Sequence, residues 1–380
     1  DGKTYTLGLV NGTPTFTDVT PGGAPSALNS HEAAYDARLG RVVLFGDWTS
    51  NKLSAWDPTA HSWTAIAPGD PEADGNPVYA GPSDAAMTFV APRGRTVYYE
   101  DNLRQTWEWN RASWAKLAPA ASPTARTSAS IGTYQSSVIL FGGSIFGSSV
   151  GDTWSWDGTN WTQLIAQTPA TRTPLQHYQT YRQDAGMVND LSGRLYRFGG
   201  SDYYSGGILC YSDLWQWRVP GDGGSPAVGS NQWLKIGDQP WADPEGDGSP
   251  TGAADGLGGF ADACNAASRM AWDAARNSMV FVAPFPSTIW EWLPATNSWR
   301  AHAMTSTGGQ PNQIQAVYWD TALQATVVVD VTRTYFVDLA ANTYTPVEIA
   351  NVYGLTPPSA GLWAYDYGSQ VAVGVEQLAW

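Results

Sequence analysis

The run Gly151 to Leu164, GDTWSWDGTNWTQL, follows the strand-like segment Val138 to Gly143, VILFGG. That unit recurs along the chain, and the recurrence constrains the fold more than any other feature, because a repeat array must be recognised before domains are counted. Each copy has an apolar run ending near Gly-Gly, a loop, a Trp-x-Trp strand, a short turn and a last strand with one more Trp. Six full copies follow one another. Their opening strands are carried by SHEAAYDARLGRVVLFGD, AAMTFVAPRGRTVYYE, SASIGTYQSSVILFGG, LQHYQTYRQDAGMVNDLSGRLYRFGG, ASRMAWDAARNSMVFVA and IQAVYWDTALQATVVVD. The N-terminal runs TYTLGLV and TFTDV, joined by the turn-forming Asn11-Gly12, look like a second half of a copy. The C-terminal LWAYDYGSQVAVGVEQL looks like a first half. Joined, the halves make one more unit.

The expected fold is therefore all-β: a seven-bladed β-propeller with four strands per blade, a single domain over 1–380. The seventh blade is split between 1–21 and 356–380, so strands from both termini close the ring and leave no open sheet edge. Composition agrees. Gly 40, Pro 25 and Trp 20, with 14% charged residues, suit many tight turns, and no segment carries a long 3.6-residue apolar period.

A Tyr-Asp pair on the first strand, Leu-Phe-Gly-Gly ending the second, Trp-x-Trp on the third and Trp on the fourth resemble Kelch repeats of a bacterial secreted type. The fold of that group is the one found in the central domain of galactose oxidase. The likeness is good in copies one, three and four. It decays later, where the Gly-Gly slot reads Val282-Ala283, Val329-Asp330 and Gly374-Val375. The resemblance implies that loops after the second strand and between blades share one face, which commonly carries the site. In this chain those are the long, irregular loops, from Asp47 to Lys52, Gly69 to Asp84, Ser144 to Asp152, Ser201 to Ser212 and Gln239 to Asp262.

Net charge is -14. Such a surface repels phosphate backbones and anionic membranes, which argues against nucleic acid as a partner. No apolar run approaches the ~20 residues of a spanning helix, so no membrane insertion is expected. A start at Asp1 without a leader reads as a mature chain after signal-peptide removal, extracellular or periplasmic. The two cysteines, Cys210 and Cys264, are expected to form a disulfide in that setting.

Candidate chemistry lies on the loop face. His31 and His177 share one slot, four residues before the first-strand Tyr, where an imidazole would serve as base or as a sugar-hydroxyl partner. His177, Tyr181 and Arg197, with His31, make the catalytic set of a polysaccharide lyase, in which a cation relieves a uronate carboxylate. The likeness to propeller lyases is in residue types only. Trp48 and Trp241 fall outside the repeat template and are stacking candidates, as are Tyr203 and Tyr204; Glu32 and Asp202 are polar candidates. Asp70, Glu72 and Asp74, and again Asp243, Glu245 and Asp247, sit at alternate positions before a Gly, as at the start of a Ca²⁺ loop, without its closing Glu. No cofactor is required by any of these readings. Copper radical oxidase chemistry is disfavoured, because too few histidines have a suitable context.

Three functions follow. The first is a secreted propeller that recognises a glycan or polysaccharide near the mouth of the central channel. The second is a polysaccharide lyase or related glycan-cleaving enzyme. The third is an extracellular module that binds a protein partner.

Overall fold

The computed structural model describes residues 4–10, 13–19, 21, 32–36, 38–46, 51–57, 60–78, 85–100, 103–166, 181–204, 207–211, 213–223, 228–236, 269–282, 288–306, 309–311, 314–320, 323–330, 334–346, 348–349, 361–366 and 371–376. The architecture is all-β, built of propeller-type blades. The chain divides into two compact units. One comprises Asp1–Ala118 and Met304–Trp380, the other Pro119–Ala303.

The second unit holds three blades. The first of them pairs Ser130–Tyr134, Ser137–Phe141, Thr153–Trp156 and Trp161–Ile165 in chain order. The next pairs Gly186–Asn189, Leu195–Phe198, Leu214–Arg218 and Gln232–Lys235. The last pairs Met270–Asp273, Ser278–Val282, Thr288–Leu293 and Ser298–Ala303. All are antiparallel, and their first strands lie side by side.

The first unit holds three more blades made of contiguous chain. These open with the strands Glu32–Asp36, Ala85–Val90 and Ile314–Asp320.

The expectation of seven four-stranded Kelch-type blades is corrected by the sheets themselves. Six blades form from contiguous chain. The strands of the two ends instead make a five-stranded sheet of mixed direction, in the order Glu348–Ile349, Thr13–Asp18, Thr4–Val10, Val371–Glu376, Gly361–Asp366. Its outer strand, Thr13–Asp18, would present unpaired amides, and Glu348–Ile349 covers that edge by parallel pairing. The same device recurs where Thr305–Ser306 pairs in parallel with Thr343–Pro346, and where Gly69 bridges in parallel to Ser113. Three outer edges of the first unit are thus capped by linker chain, while the blades of the second unit stay four-stranded. The expected disulfide is also corrected. No disulfide occurs among the described residues; Cys210 ends a strand of a short hairpin, Gly207–Cys210, and Cys264 lies outside them.

The tryptophans make the core. Trp56 and Trp63, Trp109 and Trp114, Trp156 and Trp161, and Trp217 and Trp233 are directly opposed across the third and fourth strands. Their ring centroids lie 5.4, 5.5, 5.6 and 5.2 Å apart, tilted or edge-on. At ~25 cal/mol per Å² and ~200 Å² a ring, each contributes a gross ~5 kcal/mol. Alternate second-strand residues pack against the neighbouring blade. Tyr196 and Phe198 meet Met270, Trp272 and Phe281, while Leu195 meets Ile139.

The Asp of the Tyr-Asp pair closes the turn to the second strand. Asp36 accepts the amides of Arg38 and Leu39 and also holds Arg111. No helix among the described residues is long and apolar enough to cross a membrane.

Candidate functional site

In two blades of the second unit the loop after the second strand is a short hairpin. Ser144–Ile145 pairs with Ser148–Ser149, and Ser201–Tyr204 pairs with Gly207–Cys210. The first hairpin turns on Phe146 and Gly147, with φ of 49° and 77°, the pair of left-handed residues that a two-residue hairpin turn uses. Ser148–Ser149 lies alongside Ser201–Tyr204, so the two hairpins stand together. Phe146 is 104% exposed at its tip, the one aromatic among the exposed large hydrophobic residues described.

Both hairpins have fixed roots. Ser144 bridges to Thr127, and Ser201 to Gln183, in the linkers that precede the first strands. Arg126 reaches up from one linker to the Gly142 carbonyl at 2.8 Å and grips both oxygens of Asp152 at 2.6 and 2.9 Å. Arg182 repeats the arrangement in the next blade, bonding the Gly199 carbonyl at 3.0 Å and both oxygens of Asp213. All four side chains are buried. Burial by itself would raise the Asp213 carboxyl; the Arg182 charge and hydrogen bonds outweigh it and hold the group below its ordinary value.

The Gly-Gly pair allows this close docking. Gly143 N–H donates to the Arg182 carbonyl at 2.7 Å, and Arg182 N–H to that of Val150 at 3.0 Å. One linker is thereby stitched to the hairpin of the blade before it.

Arg197 and Tyr181 of the proposed catalytic set are both buried. Arg197 is wholly enclosed between blades. Its guanidinium lies 3.8 Å from the Phe141 ring centroid, 4.9 Å from Trp233 and 5.2 Å from Trp215. Its three nitrogens have no hydrogen-bond partner among the described residues. Burial, and next the Arg182 charge, push its pKa well down, against the pull of Asp213. In this conformation Arg197 is a cation held by aromatic faces. Arg126 is likewise unavailable to a ligand, being paired with Asp152. His31, His177, Trp48 and Trp241 lie outside the described residues.

Asp202 is buried at the root of the second hairpin, opposite Leu209 in register; Tyr203 and Tyr204 follow it on the same strand. Glu32 opens a first strand of the other unit and is half-buried. Sequence reasoning passed over Phe146 and Asp184. The signal for Phe146 was available in Ile-Phe-Gly-Ser, an X-Gly turn with an apolar tip. Asp184 is half-buried, with φ 57°, and its amide donates to the Ser128 carbonyl at 3.1 Å. Burial raises its pKa, and hydrogen bonds from Ser128 and Gln183 oppose the rise.

Of the acidic strings, Asp70 accepts the amides of Asp74 and Gly75 at 3.0 and 3.1 Å, and Asp74 accepts that of Lys116 at 3.3 Å. Asp70, Glu72 and Asp74 are exposed. Among the described residues no group of three or more His, Cys, Asp or Glu is placed to hold a metal ion. Asp243, Glu245 and Asp247 lie outside them.

His302 is buried in a network. Its Nε2 is 3.0 Å from Glu291, whose other oxygen accepts the Ser278 hydroxyl at 2.8 Å. Burial opposes ionisation of Glu291, but His302 and Ser278 outweigh it and lower its pKa. Asp190 is lowered too, burial being outweighed by Ser192 and Arg194. Carboxyls lowered on folding stabilise above their unfolded pKa, and that stability is lost as pH falls through the folded value. The melting temperature is therefore expected to hold down to about pH 5 and then drop. Glu291→Gln should show a shallower acid slope; identical slopes for the two proteins would refute the assignment.

No protein-family model matches the chain, and no curated protein matches it in sequence. The Kelch resemblance is corrected accordingly: the repeat pattern marks a blade geometry, not membership of that family. The geometry is that of a scaffold suited to binding a ligand or partner, with short hairpins raised on rigid blades.

Proposed function

We propose that the protein recognises carbohydrate outside the cytoplasm, at the hairpin end of the second unit. The observation that supports this most is Phe146, a fully exposed ring at the tip of a hairpin rooted by buried ion pairs. Exposing a ring on a rigid support sacrifices burial, and sugar rings stack on such faces. Tyr203 and Tyr204 stand on a strand of the adjoining hairpin. Asp184, half-buried at the hairpin roots, is a hydroxyl acceptor, whereas Asp202 is buried out of a ligand's reach.

Binding is tested by a glycan array followed by calorimetry on the hits. Phe146→Ala is expected to weaken them on the order of tenfold, the scale of one lost stacking anchor, with the melting temperature unchanged. An array without hits, or hits indifferent to Phe146→Ala, would overturn the proposal.

A further inference from the structure

Arg197 stands in a position that the repeat otherwise gives to apolar side chains. It lies on a second strand, opposite Trp215, the first residue of its Trp-x-Trp segment. The equivalent residues of the other contiguous blades are Leu44, Tyr98, Leu140, Phe281 and Val328, and all are buried. The blade before shows the balanced arrangement, in which Arg126 pairs with Asp152 and Leu140 fills the slot. The next blade keeps the pair, as Arg182 with Asp213, and sets a second buried cation beside it. Among the described residues Asp213 is the one carboxylate whose charge pulls on Arg197, and both its oxygens are bound by Arg182. Asp202, buried at the root of the hairpin, makes no bond to Arg197. One negative charge thus serves two enclosed guanidinium groups.

The rings around Arg197 meet only part of its needs. Their faces favour the charge. A guanidinium also carries five N–H donors, and those on Nε, Nη1 and Nη2 have no acceptor. Buried donors and buried charge are both costly until they are matched. From this excess we infer that Arg197 holds a small monovalent anion, a halide such as chloride, between the first and second blades of the second unit. Enclosure sets the ligand class, because ring centroids at 3.8, 4.9 and 5.2 Å pack too closely for sulfate, phosphate or a sugar carboxylate. A halide accepts N–H bonds from any direction and brings the one charge that Asp213 does not supply. The ion is taken up as the two blades pack, and it belongs to the scaffold that supports the hairpins, separate from the exposed ring of Phe146.

The test melts the whole chain at constant ionic strength while chloride replaces gluconate, an anion too large for the site. The melting temperature should rise by about 3–5 °C for each tenfold increase in chloride beyond its dissociation constant, as linkage requires of a ligand bound only by the folded state. Arg197→Leu installs the side chain that Leu44 and Leu140 place in the same slot. It should fold, melt no lower than the parent in gluconate, and give one melting temperature in both salts. Because salts also act on stability through the general surface, the difference between the two proteins is the reading. An equal chloride response in parent and variant, or none in the parent, overturns the site. Crystals of the unsubstituted protein grown in bromide give a second reading that needs no variant. An anomalous peak within hydrogen-bond distance of the Arg197 nitrogens supports the proposal, and bromide confined to the surface, an adventitious ion only, overturns it.

Discussion

Asp213→Ala is expected to cost about 3–5 kcal/mol, the range for removing one partner of a buried ion pair. For a unit of this size that corresponds to a fall of roughly 6–20 °C in melting temperature. The loss goes beyond one pair. Asp213 accepts two Arg182 nitrogens, and Arg182 lies 4.0 Å from the Tyr211 ring centroid. The carboxylate also offsets the repulsion between Arg182 and the enclosed Arg197. Its removal leaves two buried guanidinium groups facing each other with no anion between them. A double variant, Arg182→Met with Asp213→Leu, fills similar volume without charge and is expected to recover much of the loss. Chemical denaturation of the parent, Asp213→Ala and the double variant measures this. Asp213→Ala melting within a degree of the parent would show that the clasp does not hold the blade.

The Arg–Asp clasp also marks where sequence reasoning stops. Tryptophan spacing and strand alternation are local patterns, so the blades, the opposed Trp pairs and the turn-closing role of Asp36 could all be read from residues a few positions apart. Arg126 and Arg182 could not. Each lies four residues before a first strand, and its aspartate lies 26 or 31 positions on, immediately before a third strand. Only the sheet brings them together, and an arginine looks available for a ligand until its partner is seen. The extra strand Glu348–Ile349 escaped for a related reason: two residues paired in parallel carry no pattern of their own. The loops Ser144 to Asp152 and Ser201 to Ser212 read as irregular in the sequence, yet both contain hairpins. In the first, Phe146-Gly147 adopts a turn with left-handed backbone at both central positions, so that Gly147 alone signals it.

Gly142→Ala is expected to be nearly as damaging as loss of Asp213, and its comparison with Gly147→Ala isolates the cause. Both glycines are left-handed, with φ of 66° and 77°. Placing alanine in that conformation costs roughly 1–2 kcal/mol at either site. At Gly147 a Cβ meets nothing within 4 Å, so that cost is the whole effect. At Gly142 the Cβ would stand 2.2 Å from the Arg182 carbonyl oxygen, which is backbone and accepts the Gly143 amide. The linker must retreat, and with it go the Gly143 bond, the seat of Arg182 and the root of the neighbouring hairpin. Destabilisation of about 3 kcal/mol or more follows for Gly142→Ala, in the class of strained-backbone and broken-network variants, against about 1 for Gly147→Ala. Amide exchange separates them further: Gly142→Ala should expose the amides of Gly143, Arg182 and Val150 together, whereas Gly147→Ala should loosen only the hairpin tip. Equal melting temperatures for the two variants would mean that the linker yields freely, and the rigid rooting of the hairpins would have to be given up.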